Sequence, residues 1–231
     1  MIDNVVVLIP SYDPDDKLVR VVKDLMLKFR DILVINDGSS KGLSEFACLQ
    51  ELGVRVVSHQ NNRGKGAAIK TGLKWVWERE DKYVGAVTAD SDGQHSPDDI
   101  ERVAQELINH PNQVVLGVRQ FSGNVPFRSR LGNSATSILF RILSGVTVQD
   151  TQTGLRGIPK NMIPRMLSIP GERYEYEMRM LYDCKFHPLK PVQVEISTIY
   201  IEGNKSSHFR PIHDSLRIWS ALLKSVAMGN G

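Results

Sequence analysis

The chain has 231 residues, 29 of them basic and 26 acidic, for a formal charge of +3, and two cysteines. That length suits one sizeable core, the near-balance of charge gives no support to nucleic-acid binding, and two cysteines cannot make a disulfide framework, which favours a reducing compartment. No apolar stretch approaches the roughly 18 residues of a membrane span, the N-terminus MIDNVVVLIP lacks the make-up of a signal peptide, and no repeat or linker divides the chain.

A strand is expected over Asn4 to Pro10, a β-branched run of the kind covered on both faces in a parallel sheet. Asp15 or Asp16 then opens a helix to about Phe29, with Leu18, Val19, Val22, Leu25, Met26 and Phe29 at three- and four-residue spacing. A second strand, Asp31 to Ile35, runs into the turn-forming cluster Asn36-Asp37-Gly38-Ser39-Ser40. A helix from Leu43 to Leu52, a strand from Val54 to Ser58 and a helix from Ala67 to Glu78 complete a βαβαβα pattern.

The loop Asn61-Asn62-Arg63-Gly64-Lys65-Gly66 before that last helix is neither of two familiar phosphate loops. A P-loop needs glycine where His59 stands and Ser or Thr where Gly66 stands; a dinucleotide fingerprint needs glycine where Ile69 stands. Arg63 and Lys65 beside two glycines suit an anionic ligand, although a plain tight turn explains the glycines equally well.

Tyr83 to Thr88 reads as a buried strand, so Asp90 and Asp92 fall beyond a strand's carboxyl end, where open α/β sheets bind ligands. Two convergent carboxylates suit a hard divalent cation that takes its other ligands from water or a diphosphate. Ser96-Pro97-Asp98-Asp99 is a helix cap for Pro97 to about Asn109, but the two acids precede it and are left over.

A strand from Gln113 to Val118 leads to Arg119, and Arg128, Arg130, Arg141 and Arg156 follow around an amphipathic helix, Ser129 to Leu143, and a polar loop, Asp150 to Pro159. Arginines gathered at one crevice make an anion site. A helix from Arg173 to about Tyr182 carries Glu175 and Glu177 two apart, so one of them is expected to face inward. A β-rich run from Val192 to Tyr200, a polar loop and an amphipathic helix from Ile212 to about Met228 close the chain. Lys205, Arg210 and Arg217 beside Trp219 suit either a core-covering stripe or an anionic bilayer surface.

Five stretches, VLIPSYDP at 7–14, VINDGSS at 34–40, NNRGKGAAIKTG at 61–72, ADSDGQHSP at 89–97 and DTQTGLR at 150–156, together resemble the family-two glycosyltransferases. Within that family the chain looks like the dolichyl- and polyprenyl-phosphate sugar transferases, over about residues 4 to 219. The resemblance implies an α/β GT-A fold: a Rossmann-like, mostly parallel nucleotide-binding sheet with helices on both faces. Residues 1–231 would form one domain, with the nucleotide sugar held by the half up to about 118 and the acceptor by the half from about 119. It implies an inverting transfer from a UDP- or GDP-sugar to a polyprenyl or dolichyl phosphate with Mg²⁺ or Mn²⁺. The alternative is a transferase acting on a hydroxyl acceptor in cell-surface polysaccharide synthesis, which would share every donor motif. A silent nucleotide-sugar-binding module should have lost Asp90 and Asp92, and both are present.

Carried over position by position, the resemblance implies Pro10, Tyr12 and Asp37 around the base, Asp90 near the ribose or diphosphate with Lys65 in the donor site, and Asp92 as metal ligand assisted by Gln94. Arg119, Arg128, Arg130 and Arg156 match positions that hold acceptor or leaving phosphates, and Asp92, Asp150 and Arg156 make up the catalytic set. Asp150 is base or scaffold. Pro14 and Asn36 stand where the family commonly has acids, which leaves the nucleotide base open. The expected setting is the cytoplasmic face of a membrane, reached by peripheral contact or through a membrane partner, and a homo-oligomer is a separate possibility.

Overall fold

The computed structural model describes residues 1–79, 82–119, 136–138, 140–197 and 220. Among them, seven strands form one mixed sheet in the order β3-β2-β1-β4-β6-β5-β7. These are β1 (Ile2–Ser11), β2 (Phe29–Asn36), β3 (Arg55–Ser58), β4 (Gly85–Thr88), β5 (Val115–Arg119), β6 (Arg156–Pro159) and β7 (Val192–Ile196). All neighbours pair in parallel except β6, which runs antiparallel to both β4 and β5.

The sheet is covered on both faces, as the unbroken apolar strands require. Along β1, Val6 and Leu8 point into one core cluster and Val5, Val7 and Ile9 into the other, all fully buried. Each such side chain contributes roughly 1.5–3 kcal/mol of apolar transfer. Helices α1 (Lys17–Met26), α2 (Leu43–Glu51) and α4 (Pro97–Asn109) cover the second face. The first is covered by α3 (Lys65–Trp77) together with the helices Ile163–Ser168 and Glu175–Asp183.

Three expectations are corrected. Phe29 does not extend α1 but opens β2, because the chain turns at Leu27 and Lys28 and Ile2 N–H bonds to Lys28 O at 2.7 Å; the ring still joins the apolar cluster that α1 faces. Residues 156–159 are a strand rather than loop, held by pairing from both sides, with Thr88 opposite Arg156 and Gly85 opposite Pro159. Glu175 and Glu177 are both buried, 6 % and 8 % exposed, because the start of their helix is embedded on two sides. Residues 136–138 and 140–144 are helical, within the range expected for the amphipathic helix; the rest of that helix to 135, the run beyond 197 and the closing helix from 212 lie outside the described residues, Ser220 excepted.

This topology positions the site. β1, β2, β3 and β4 end at one edge of the sheet, and the antiparallel β6 must enter from that same edge. The loop 150–155 is thereby delivered beside Ala89 and Asp90.

Candidate active site

Asp90 and Asp92 stand in the turn between β4 and α4. The helix start beneath them is fixed by Ser96, whose Oγ accepts the Asp99 N–H at 3.1 Å, with Pro97 in the first turn. Asp92 takes the Gln94 N–H on Oδ1 at 3.1 Å and Gln94 Nε2 on Oδ2 at 2.8 Å, so the two residues expected to act together at a metal are in contact. Burial and the neighbouring Asp90 charge raise the Asp92 pKa. Asp90 N–H donates to His95 Nδ1 at 3.4 Å, and burial lowers the pKa of that imidazole. Sequence reasoning left His95 inside the motif without a role.

Lys65 opens α3 and reaches across to this turn. Its Nζ lies 2.7 Å from Asp90 Oδ1 and 3.0 Å from Glu177 Oε1. Burial works against the ammonium, but the two carboxylates more than offset it and its pKa is raised. Burial likewise acts to raise Asp90, yet Lys65 outweighs it and holds the carboxyl down at about 2. Glu177 was not among the expected site residues, since no local spacing ties it to residue 65 or 90.

The glycines of the 61–66 loop meet a neighbouring segment, a packing role that neither the tight-turn nor the anion-site reading supplied. A Cβ on Gly64 would lie 2.5 Å from Arg173 Cγ and 2.6 Å from Glu172 O, and one on Gly66 would lie 2.6 Å from Tyr176 Cβ. Glycine here admits the 172–176 segment, whose Glu172 O also accepts the Ala67 N–H at 2.9 Å. Arg63, exposed, pairs with Glu172 at 3.1 Å.

Asp37 follows β2, its N–H bonded to Ser11 O at 2.8 Å. Its carboxylate is 4 % exposed and accepts Arg63 N–H at 3.0 Å, Gly64 N–H at 2.6 Å and His59 Nδ1 at 2.7 Å. Pro10 is buried at the end of β1 and Tyr12 is half-buried just past it.

On the other side of the turn, Arg119 ends β5 and forks onto Asp150, with Nε to Oδ2 at 2.6 Å and Nη2 to Oδ1 at 3.0 Å. Asp150 is fully buried and also accepts the Gln152 N–H at 3.1 Å, while the Arg119 side chain is 27 % exposed and its charge acts on Asp90 and His95. Arg156, expected among the phosphate-holding arginines, is instead 2 % exposed. Its guanidinium donates to the backbone carbonyls of Thr153 and Glu177, tying the 150–155 loop to the helix that carries Glu177. Arg128 and Arg130 lie outside the described residues.

The loop meets the acids at Gly154, whose carbonyl accepts the Thr88 hydroxyl at 2.8 Å and where a Cβ would sit 2.4 Å from Asp90 Oδ2. Asp90 and Asp92, the shared Lys65, the buried Glu177 and the Arg119–Asp150 fork therefore gather at one end of the strands.

Known proteins are similar to this chain in sequence and in fold. The UDP-N-acetylglucosamine–dolichyl-phosphate N-acetylglucosaminyltransferase of Methanococcus voltae is 32% identical, over 84% of this chain and 85% of its own length. The undecaprenyl-phosphate mannosyltransferase of Micrococcus luteus is 27% identical, over 87% of this chain and 86% of its own. Glucosyl-3-phosphoglycerate synthase of Mycobacterium tuberculosis, solved in complex with Mn²⁺, UDP and phosphoglyceric acid, superposes with a TM-score of 0.73 over 97% of this chain and 78% of that one, at 16% identity, which establishes the GT-A fold. The profile described as Glycosyl transferase family 2 matches residues 6–164, from β1 through the Asp90–Asp92 turn and the Asp150–Arg156 loop, and the chain belongs to that family.

Proposed function

We propose that this protein moves a sugar, with inversion, from a nucleoside diphosphate to a polyprenyl or dolichyl phosphate. The observation that carries the reading is the junction of Asp90, Asp92 and Lys65 with the Arg119–Asp150 fork, in a chain whose relatives are named for that acceptor.

The donor set fits Mg²⁺ or Mn²⁺. Burial and the nearby Asp90 charge raise the Asp92 pKa, an unfavourable setting for its carboxylate that a cation would relieve. Among the described residues no cluster of three or more metal-ligating side chains exists, so a cation here would rely on the Asp92 and Asp90 carboxylates plus donor phosphates, the habit of magnesium sites. When bound, the metal would offset charge on the departing diphosphate.

The protein side chains supply the rest. Lys65 neutralises Asp90 and keeps it ionised across the physiological range. Arg119, held by Asp150, presents a fixed positive charge at the crevice mouth for a phosphate. A phosphate monoester is already anionic near neutral pH and needs orientation more than a base. A buried Asp150 with both oxygens on Arg119 suits that chemistry.

No helix among the described residues is long and apolar enough to cross a membrane. A lipid phosphate keeps its tail in the bilayer, so the protein would work docked at the membrane's cytoplasmic face, through its own surface or a partner.

The test is a panel of UDP- and GDP-sugars with Mg²⁺ or Mn²⁺, assayed on polyprenyl phosphate in anionic liposomes and on soluble hydroxyl acceptors. Transfer to the lipid phosphate that stops in chelator is expected. Transfer only to soluble hydroxyls, without liposome binding at low salt, would put the polysaccharide-building reading in its place. In the same assay Gly154→Ala is expected to lower kcat/KM for the donor about 100-fold and to lower the melting temperature as well, because the added methyl turns Asp90 away from Lys65 and separates a largely buried ion pair. An unchanged kcat/KM would show that the Asp90 orientation is unimportant.

A further inference from the structure

We propose that His59 is a positioning residue for nucleotide-sugar binding, acting through Asp37 on the turn that aims Lys65. The proposal deepens the donor-binding reading above and rests on it.

The imidazole spans two elements. His59 follows β3, its N–H bonded to Asn36 O at 2.9 Å; its Nδ1 meets Asp37 Oδ1 at 2.7 Å and its Nε2 meets Thr71 Oγ1, on the second turn of α3, at 2.8 Å. The two side chains of the His59–Asp37 pair are 8 % and 4 % exposed. A carboxylate only accepts, so Nδ1 carries a proton, and Nε2 shares a hydrogen with the Thr71 hydroxyl, which can donate or accept. Both ring nitrogens are thereby used and the ring cannot rotate without losing a buried hydrogen bond.

What the ring fixes is the carboxylate, and what the carboxylate fixes is the turn. Asp37 Oδ1 and Oδ2 take the successive N–H groups of Arg63 and Gly64. Gly64, at φ +108°, then hands the chain to Lys65, whose Nζ reaches Asp90. A continuous path therefore runs from the imidazole through the carboxylate and two backbone amides to the ammonium at the crevice. Asp37 thus accepts from three partners, two on Oδ1 and one on Oδ2. Neither the loop's glycines nor its charges pointed to His59, since the contact depends on β3 and α3 lying side by side.

The residue need not touch the donor, so its loss should show in binding rather than in turnover. Asparagine places its amide N–H near where Nδ1–H stood, glutamine reaches only toward Thr71, and leucine offers neither. The experiment titrates UDP and GDP with Mn²⁺ into wild type and His59→Asn, His59→Gln and His59→Leu by thermal shift, and measures donor KM and kcat with whichever nucleotide sugar is turned over. Leucine and glutamine are expected to raise the apparent Kd and the donor KM about tenfold with kcat within about threefold of wild type, and asparagine to restore both. If His59→Leu melts below the assay temperature, the asparagine–glutamine contrast decides alone. Equal Kd and KM in all four proteins, or a fall in kcat at unchanged KM, overturns the proposal. A wild type that responds to neither nucleotide defeats the donor reading itself and the proposal with it, whereas a responding wild type matched by all three variants defeats only the role of His59.

Discussion

Asp92→Asn is expected to lower kcat by about 10³-fold or more, the rate equivalent of roughly 4 kcal/mol, while leaving the protein folded. The substitution keeps shape and an acceptor for the Gln94 N–H but removes the charge that Asp92 would offer a cation. Stability should hold or rise. Burial and Asp90 raise the Asp92 pKa, so the folded state binds the proton more tightly than the unfolded chain and ionised Asp92 costs stability above that pKa; a neutral amide removes the cost. Mn²⁺ should stabilise wild type in thermal melts in the presence of a nucleoside diphosphate and fail to do so for the variant. Retained turnover with the same metal dependence would end the assignment of Asp92 as ligand.

The same turn shows what a sequence can and cannot disclose. The Asp90–Asp92 pair was legible because its signals are local: an apolar strand before it, and a cap after it that accounts for Ser96 through Asp99 and leaves the two acids unexplained. The helix from Pro97 to Asn109 was legible end to end for the same reason. β6 was not. Arg156-Gly157-Ile158-Pro159 has a glycine, a proline and one β-branched residue, and it is a strand only because β4 and β5 offer it two edges. Phe29 misled in the opposite direction, since its spacing from Met26 and Leu25 continues the α1 stripe while its backbone already belongs to β2.

In the site, what the sequence left unseen are partners supplied by distant segments. Glycines 64 and 66, which a tight turn and an anion site explained equally well, are places where residues 172–176 press close. Lys65 looked like a free cation for a ligand and is shared between Asp90 and Glu177. Glu175 and Glu177 cannot share one helical face, yet both are buried: Glu175 accepts the N–H groups of Glu172 and Arg173, each at 3.3 Å, and Glu177 meets Lys65. Burial of charge is set by tertiary partners, which periodicity does not encode.

The Arg119–Asp150 fork yields the last expectation, in which one variant should be less stable than the double variant containing it. Asp150 has no exposed surface, and Arg119 occupies both of its oxygens. Arg119→Ala strands a buried carboxylate that retains the Gln152 N–H, at a cost of about 3 kcal/mol; adding Asp150→Asn replaces the stranded charge with a neutral amide and should restore a good part of that loss. Urea denaturation of the two single variants and the double variant measures the coupling. Activity should follow a parallel logic. If Asp150 acts by aiming Arg119, then Asp150→Asn and Arg119→Ala each lower kcat/KM for the acceptor, and the double variant is no worse than the poorer single one. If Asp150 were instead the proton acceptor, Asp150→Asn would abolish the rise of kcat with pH, and the two losses would multiply. Additive stability losses together with a vanished acidic limb would replace the scaffold role with the base role, and would favour a hydroxyl acceptor over a lipid phosphate.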